Sequence, residues 1–182
     1  MDTLSEQATR EGAAVACFYF NFAVSQEQSP AAVLGSVLKQ VVAGLDKVPE
    51  RIANAFRDRR RLELAEIVEF LLDVSFSRST FICIDALDEC QARYQEDLLD
   101  SLNHILRKCS GARIFLTGRP RIRDEVEEHL AGKVVTRSIT PTKSDIVILL
   151  RAKLKEDAMP NAMDQSLEEE IIKDIPETGS EM

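Results

Sequence analysis

Three short, continuously apolar runs, set apart by long stretches of helical periodicity, constrain this chain more than any other feature. They are "AVACFYF" (Ala14–Phe20), "TFICID" (Thr80–Asp85) and "ARIFLT" (Ala112–Thr117). A strand buried on both faces needs such a run, whereas a half-exposed strand alternates apolar and polar residues. Between the runs, Leu34, Val37, Leu38, Val41 and Leu45 recur at helical spacing, as do Leu64, Ile67, Val68, Leu71 and Leu72, then Leu98, Leu102, Ile105 and Leu106. Strands alternating with helices predict an α/β fold built on a mainly parallel sheet. A weaker strand is predicted over "KVVTRSI" (Lys133–Ile139).

Local signals place the helix ends. Ser29-Pro30 reads as an N-cap followed by proline at the first helical position. Pro49 opens another helix, and Gly111 is a plausible C-cap before the third strand. Ile122, Val126 and Leu130 mark a short helix ending at Gly132. Thr142 and Asp145 have capping-box spacing, repeated by Ser166 and Glu169. The chain is expected to leave the sheet domain around Met159-Pro160-Asn161.

Composition narrows the function classes. An apolar share of 45% is ordinary for a globular protein. No apolar run approaches the roughly 18–20 residues of a membrane span, and the polar N-terminus does not resemble a secretory signal. Neither membrane association nor secretion is expected, and the cytoplasm is the expected location. A formal charge of −8 argues against DNA or RNA as a partner, with one basic exception at Arg57, Arg59, Arg60 and Arg61. That cluster reads as a solvated helix end or as a phosphate or partner contact. Cys17, Cys83, Cys90 and Cys109 form no C-x-x-C pair and have no histidine at zinc spacing.

Two strand ends carry candidate chemistry. In "FICIDALDEC" a buried strand ends at Asp85, and ligands of open α/β sheets gather at the carboxyl ends of strands. A carboxylate there can orient Mg²⁺, while Asp88 and Glu89 follow closely enough to orient or deprotonate an attacking water. The alternative is an acid capping the next helix or facing solvent. In "RIFLTGRP" a second buried strand is followed by Gly118-Arg119-Pro120. If the strands are parallel, Arg119 shares an edge with Asp85 and can stabilise charge on a terminal phosphate. The alternative is a surface turn arginine.

Taken together, "TFICIDALDE" resembles the Walker B strand of NACHT-type (STAND class) P-loop NTPases, and "RIFLTGRP" resembles their sensor-1 strand. "GAAVACFYFNF", "SPAAVLGSVLKQVV" and "KSDIVILLRAKL" fall in the order seen in fungal NACHT proteins. There the module resembles the nephrocystin-like N-terminal domain and often precedes ankyrin repeats. The similarity covers essentially residues 11–182. It implies Asp85 as the Mg²⁺ acid, Asp88 and Glu89 as hydrolytic acids, and Arg119 as the sensor. Relatives often read Thr-Ser-Arg-Pro where this chain has Thr-Gly-Arg-Pro.

One expected element is missing from these residues. G-x-x-x-x-G-K-S/T occurs nowhere, so the cradle of backbone N–H groups, the phosphate lysine and the Mg²⁺ hydroxyl are all lacking. The implied fold is a partial three-layer P-loop NTPase without its P-loop strand, which belongs between "ARIFLT" and "KVVTRSI". Unpaired buried backbone groups at that gap would cost roughly 1–3 kcal/mol each, against a typical net stability of about 5–15 kcal/mol. The expected organisation is a remnant of the post-loop helix over 1–12, an incomplete NTPase core over 13–158 and the start of a helical segment over 159–182. Mg-ATP or Mg-GTP is expected only in an intact module, with no cofactor and no enzymatic activity for these residues alone. Protein partners or self-association are expected. Three functions stay open: a degenerate regulatory or interaction module, part of a split or longer active NTPase, and a receiver-like domain phosphorylated on Asp85.

Overall fold

The computed structural model describes residues 12–21, 28–59, 61–155 and 165–178, and the chain divides into two compact units, Met1–Val135 and Thr136–Met182. In the first unit β1 (Ala14–Tyr19) precedes α1 (Pro30–Ala43), α2 (Glu50–Arg57) and α3 (Leu64–Ser77). Then follow β2 (Thr80–Asp85), a 3-10 turn at Leu87–Glu89, α4 (Ala92–Lys108) and β3 (Ala112–Leu116). A second 3-10 turn at Pro120–Ile122 leads into α5 (Arg123–His129). The second unit holds α6 (Lys143–Lys155) and α7 (Gln165–Thr178), which pack on each other. The expected helix remnant over 1–12 (except Gly12), the exit near Met159-Pro160-Asn161, and Arg60 lie outside the described residues.

The three apolar runs form a sheet in the order β1-β2-β3, parallel throughout. Its register runs Ala14↔Thr80↔Ala112 through Phe18↔Ile84↔Leu116. Alternate residues on one face, among them Ala16, Ile82, Ile84 and Ala112, are buried in a single core. That core takes Leu34 and Leu38 from α1, Phe70 and Leu71 from α3, and Leu98 and Leu102 from α4. The small Ala14 and Ala16 side chains leave room for α1 to lie close over β1. Val15, Cys17 and Tyr19, then Phe81, Cys83 and Asp85, then Arg113 and Phe115, point to the other face and stay outside this core. Tyr19 is 52% and Phe115 62% exposed there. The described residues thus supply two of the three expected layers.

Edge strands need their free backbone groups satisfied or shielded. On β1 the Gln40 side chain does this: its Oε1 accepts from the Cys17 N–H at 3.0 Å and its Nε2 donates to the Cys17 carbonyl at 2.8 Å. No strand forms over Lys133–Ile139, contrary to expectation. Val135 and Ile139 are 87% and 90% exposed and Val134 is only half-buried, so the apolar residues that suggested it find no full burial. Helix starts follow the sequence more closely. Ser29 Oγ accepts from the Ala32 N–H with Pro30 in the first turn, and Thr142 with Asp145 closes a capping pair at α6. Ser166 instead lies inside α7, which begins at Gln165, and α4 ends at a Cys109 cap ahead of Gly111.

One arginine stitches the amino edge of the sheet. Arg78, between α3 and β2, donates from Nε to the Gly12 carbonyl (3.0 Å), from Nη1 to Gly44 (2.6 Å) and from Nη2 to Ala13 (2.8 Å). It ties the entry to β1 and the exit of α1 to the start of β2. Hydrogen bonds from a charged donor are the stronger kind, so Arg78→Leu is expected to lower stability by about 1–3 kcal/mol. Urea denaturation checks this as a lower midpoint at constant slope. An unchanged midpoint would show that water replaces the guanidinium without cost.

Candidate functional site at the carboxyl edge of the sheet

Because β2 and β3 run parallel in register, Asp85 and the residues after Leu116 arrive at the same edge. Thr117 joins them. Its N–H donates to the Ile84 carbonyl at 3.0 Å, extending the ladder by one residue. Its hydroxyl donates to Asp85 Oδ1 and accepts from the Ala86 N–H at 3.1 Å. Its carbonyl accepts from the Leu87 N–H at 2.9 Å. Every polar group of Thr117 thus holds the chain leaving β2. That chain turns through Ala86, whose φ of 55° is left-handed and costs a non-glycine residue roughly 1–2 kcal/mol. Leu87, fully buried in the core, anchors the turn from below.

Asp88 joins the turn after β2 to the turn after β3. Its side chain is 4% exposed. Oδ1 accepts from the Arg119 N–H at 3.1 Å, and Oδ2 accepts from Arg121 Nη2 at 3.1 Å. The same Nη2 also donates to the Asp88 carbonyl at 3.0 Å, and Arg119 Nε lies 3.7 Å from Oδ2. Gly118 packs against this carboxylate. A Cβ there would sit 3.4 Å from Asp88 Oδ1 and 2.8 Å from Ile122 Cγ2. A serine at 118 would require the Ile122 side chain to move.

The structure therefore brings Asp85, Asp88, Glu89 and Arg119 to one edge, with the acids in different settings. Asp85 is exposed and oriented by Thr117. Asp88 is turned inward onto two arginines, and Glu89 is half-buried beside it. The Arg119 and Arg121 side chains are 73% and 65% exposed, so positive charge stays open to solvent at the rim that also carries the exposed Asp85. Sequence reasoning did not single out Thr117 as a side-chain partner, nor Arg121. The repeated arginine in "GRPRIR" was the available signal. Elsewhere, His104 is exposed and His129 Nδ1 lies 2.8 Å from Asp100 Oδ1, joining α5 to α4. Among the described residues, no group of three or more His, Cys, Asp or Glu side chains could hold a metal. Nor is any helix there long and apolar enough to cross a membrane.

Fold and edge together define an α/β protein whose parallel strands deliver an acid and an arginine to one rim. The chain belongs to the family described as nephrocystin 3, N-terminal, which matches residues 1–119 and so takes in all three strands and the rim through Arg119. No curated protein matches it.

Removing the Asp88 carboxylate leaves the Arg119 N–H without its acceptor and two guanidinium groups without their shared anion. Both arginines are largely solvated, so the loss stays below that of a fully buried pair. Asp88→Ala is expected to cost about 1–3 kcal/mol. Denaturant melts should separate it clearly from the exposed control Glu125→Ala, and equal midpoints would remove the clamp from the account.

Proposed function

We propose that these residues are part of a NACHT-type, STAND-class P-loop NTPase module of a signalling protein, acting here as a regulatory or interaction module. In this proposal Asp85 is the Mg²⁺ acid, Thr117 sets its orientation, and Arg119 senses the terminal phosphate. Glu89 is the acid beside the attacking water. Asp88 was expected to share that role, but its buried, arginine-bound carboxylate favours a holding role: it fixes where Arg119 stands. The single observation that carries the proposal is the Thr117–Asp85 hydrogen bond, two residues before Arg119. Membership of the nephrocystin 3 N-terminal family is compatible with it and does not by itself supply the nucleotide chemistry.

The fit to Mg²⁺ is partial. Mg²⁺ takes six oxygens in near-octahedral geometry and keeps several waters, so one carboxylate suffices only when nucleotide phosphates supply further ligands. Asp85 is exposed at the rim and able to serve as that one acid. Bound there, the ion would neutralise charge on the outer phosphates of ATP or GTP. Nothing in these residues corresponds to the glycine-rich cradle that would hold those phosphates. The 182-residue chain is therefore proposed to neither retain nor hydrolyse ATP or GTP on its own, and to work through protein partners or self-association.

A second version is favoured by the alignment of Asp85, Thr117 and Arg119 on one rim. It makes these residues part of a split or longer active NTPase whose cradle lies on another segment. Equilibrium dialysis distinguishes the versions. The chain alone is expected to retain no MgATP or MgGTP at micromolar concentration. Joining it to a strand, glycine-rich loop and helix encoded upstream, where present, should restore Mg²⁺-dependent binding under the second version only. In such an active form Asp85→Ala is expected to abolish hydrolysis, and an unchanged rate would contradict the role given to Asp85.

A further inference from the structure

On the sheet face turned away from the core, two thiols stand side by side. Cys17 of β1 and Cys83 of β2 are direct register partners, and both are half-buried. Neighbouring strands lie about 4.7–4.9 Å apart, inside the Cα separation of roughly 4.4–6.8 Å that a disulfide spans. Equal side-chain direction follows from the register, because partners in a parallel pair share a face. The surrounding row is accessible: Phe115, the next partner across on β3, and Tyr19, two residues beyond Cys17, are both largely exposed. Cys90 and Cys109 differ. Both are buried in the core, and the Cys109 thiol donates to the Ser75 carbonyl at 3.0 Å.

We infer that Cys17 and Cys83 are an oxidisable dithiol, a modification site at which a hydroperoxide closes a reversible disulfide between β1 and β2. The electrons balance with the peroxide as the named oxidant. The Cys17 thiolate attacks the terminal peroxide oxygen, breaking the O–O bond to give a Cys17 sulfenic acid; with hydrogen peroxide the leaving hydroxide takes up a proton as water. Cys83 sulfur then attacks the sulfenic sulfur. The S–O bond breaks, the S–S bond forms, and the departing hydroxide leaves as water with the Cys83 proton. Two thiols and one hydrogen peroxide yield one disulfide and two waters. Cys83 is the resolving partner because burial, and then the adjacent Cys17 sulfur, push its thiol up to about 11, leaving it a weak nucleophile at neutral pH. Two residues beyond this pair stand Tyr19 and Asp85, themselves register partners, so the crosslink would tie the strand bearing Asp85 to β1 just short of the rim. The inference needs no nucleotide at that rim and stands apart from the proposed function.

The test uses the purified 182-residue chain exposed to hydrogen peroxide at neutral pH, then alkylated and mapped by mass spectrometry. Cys83 and Cys90 share the tryptic peptide 79–93, so cleavage after Asp88 or Glu89 is needed to separate them. The expected product is a Cys17–Cys83 linked peptide pair, two hydrogens lighter than the dithiol and restored by dithiothreitol. Two of the four cysteines then lose reactivity. Cys83→Ser should instead accumulate a Cys17 sulfenic acid trapped by dimedone, and Cys17→Ser should slow oxidation at least tenfold. Circular dichroism confirms that each variant is folded, and the wild-type mapping stands without either. Cys17 and Cys83 both still alkylatable after peroxide, or bridges preferring Cys90, Cys109 or a second chain, would overturn the inference.

Discussion

The carboxyl rim depends on one constraint: β2 and β3 must end together, and the chain leaving each must be held by the other. Thr117 supplies half of that hold and Asp88 the other half. Thr117 fastens the exit of β2 through its backbone and hydroxyl, while Asp88 reaches back to fasten the exit of β3 through Arg119 and Arg121. Such a reciprocal lock tolerates the left-handed backbone at Ala86, because hydrogen bonds on both sides and the buried Leu87 offset its strain. It also divides the acids. Asp85 is left at the surface and Asp88 is drawn inside, although they lie only three residues apart.

The amino edge of the same sheet is organised differently. There a single guanidinium, Arg78, collects three carbonyls from segments distant in sequence. Such carbonyls sit where the chain enters or leaves regular structure, and a planar donor fork can satisfy several at once. Gln40 plays a comparable part along β1, substituting a side-chain amide for the strand that an edge lacks. Polar side chains thus close the amino edge and the β1 border, while the carboxyl rim keeps exposed charge. The carboxyl end is the one at which ligands of open α/β sheets gather.

Much of this was legible in the sequence, for physical reasons that also set the limit. "TFICID" and "ARIFLT" are too apolar and too rich in branched and aromatic residues to lie anywhere but in a sheet, and both formed parallel strands. From that the shared edge of Asp85 and Arg119 followed. "KVVTRSI" had two adjacent valines but alternated with Lys, Thr, Arg and Ser, and no partner strand gives it pairing among the described residues. The inward turn of Asp88 was not legible, because spacing alone cannot say which of two nearby acids an arginine will claim. Ala86 carried no signal at all: glycine would have marked the left-handed turn, and alanine hides it. The continuous apolar runs also pointed to strands covered on both faces, yet Tyr19 and Phe115 stand open on one of them.

At the centre of the account is the proposal that this rim, without a cradle, would meet a nucleotide's outer phosphates only weakly. Paramagnetic broadening of backbone amide signals by millimolar Mn²⁺-ATP, compared between the wild-type chain and Asp85→Asn, examines that directly. The account expects selective broadening at Ala86, Leu87, Thr117 and Gly118, lost in the variant. Broadening centred away from this rim, or unchanged by the substitution, would contradict it.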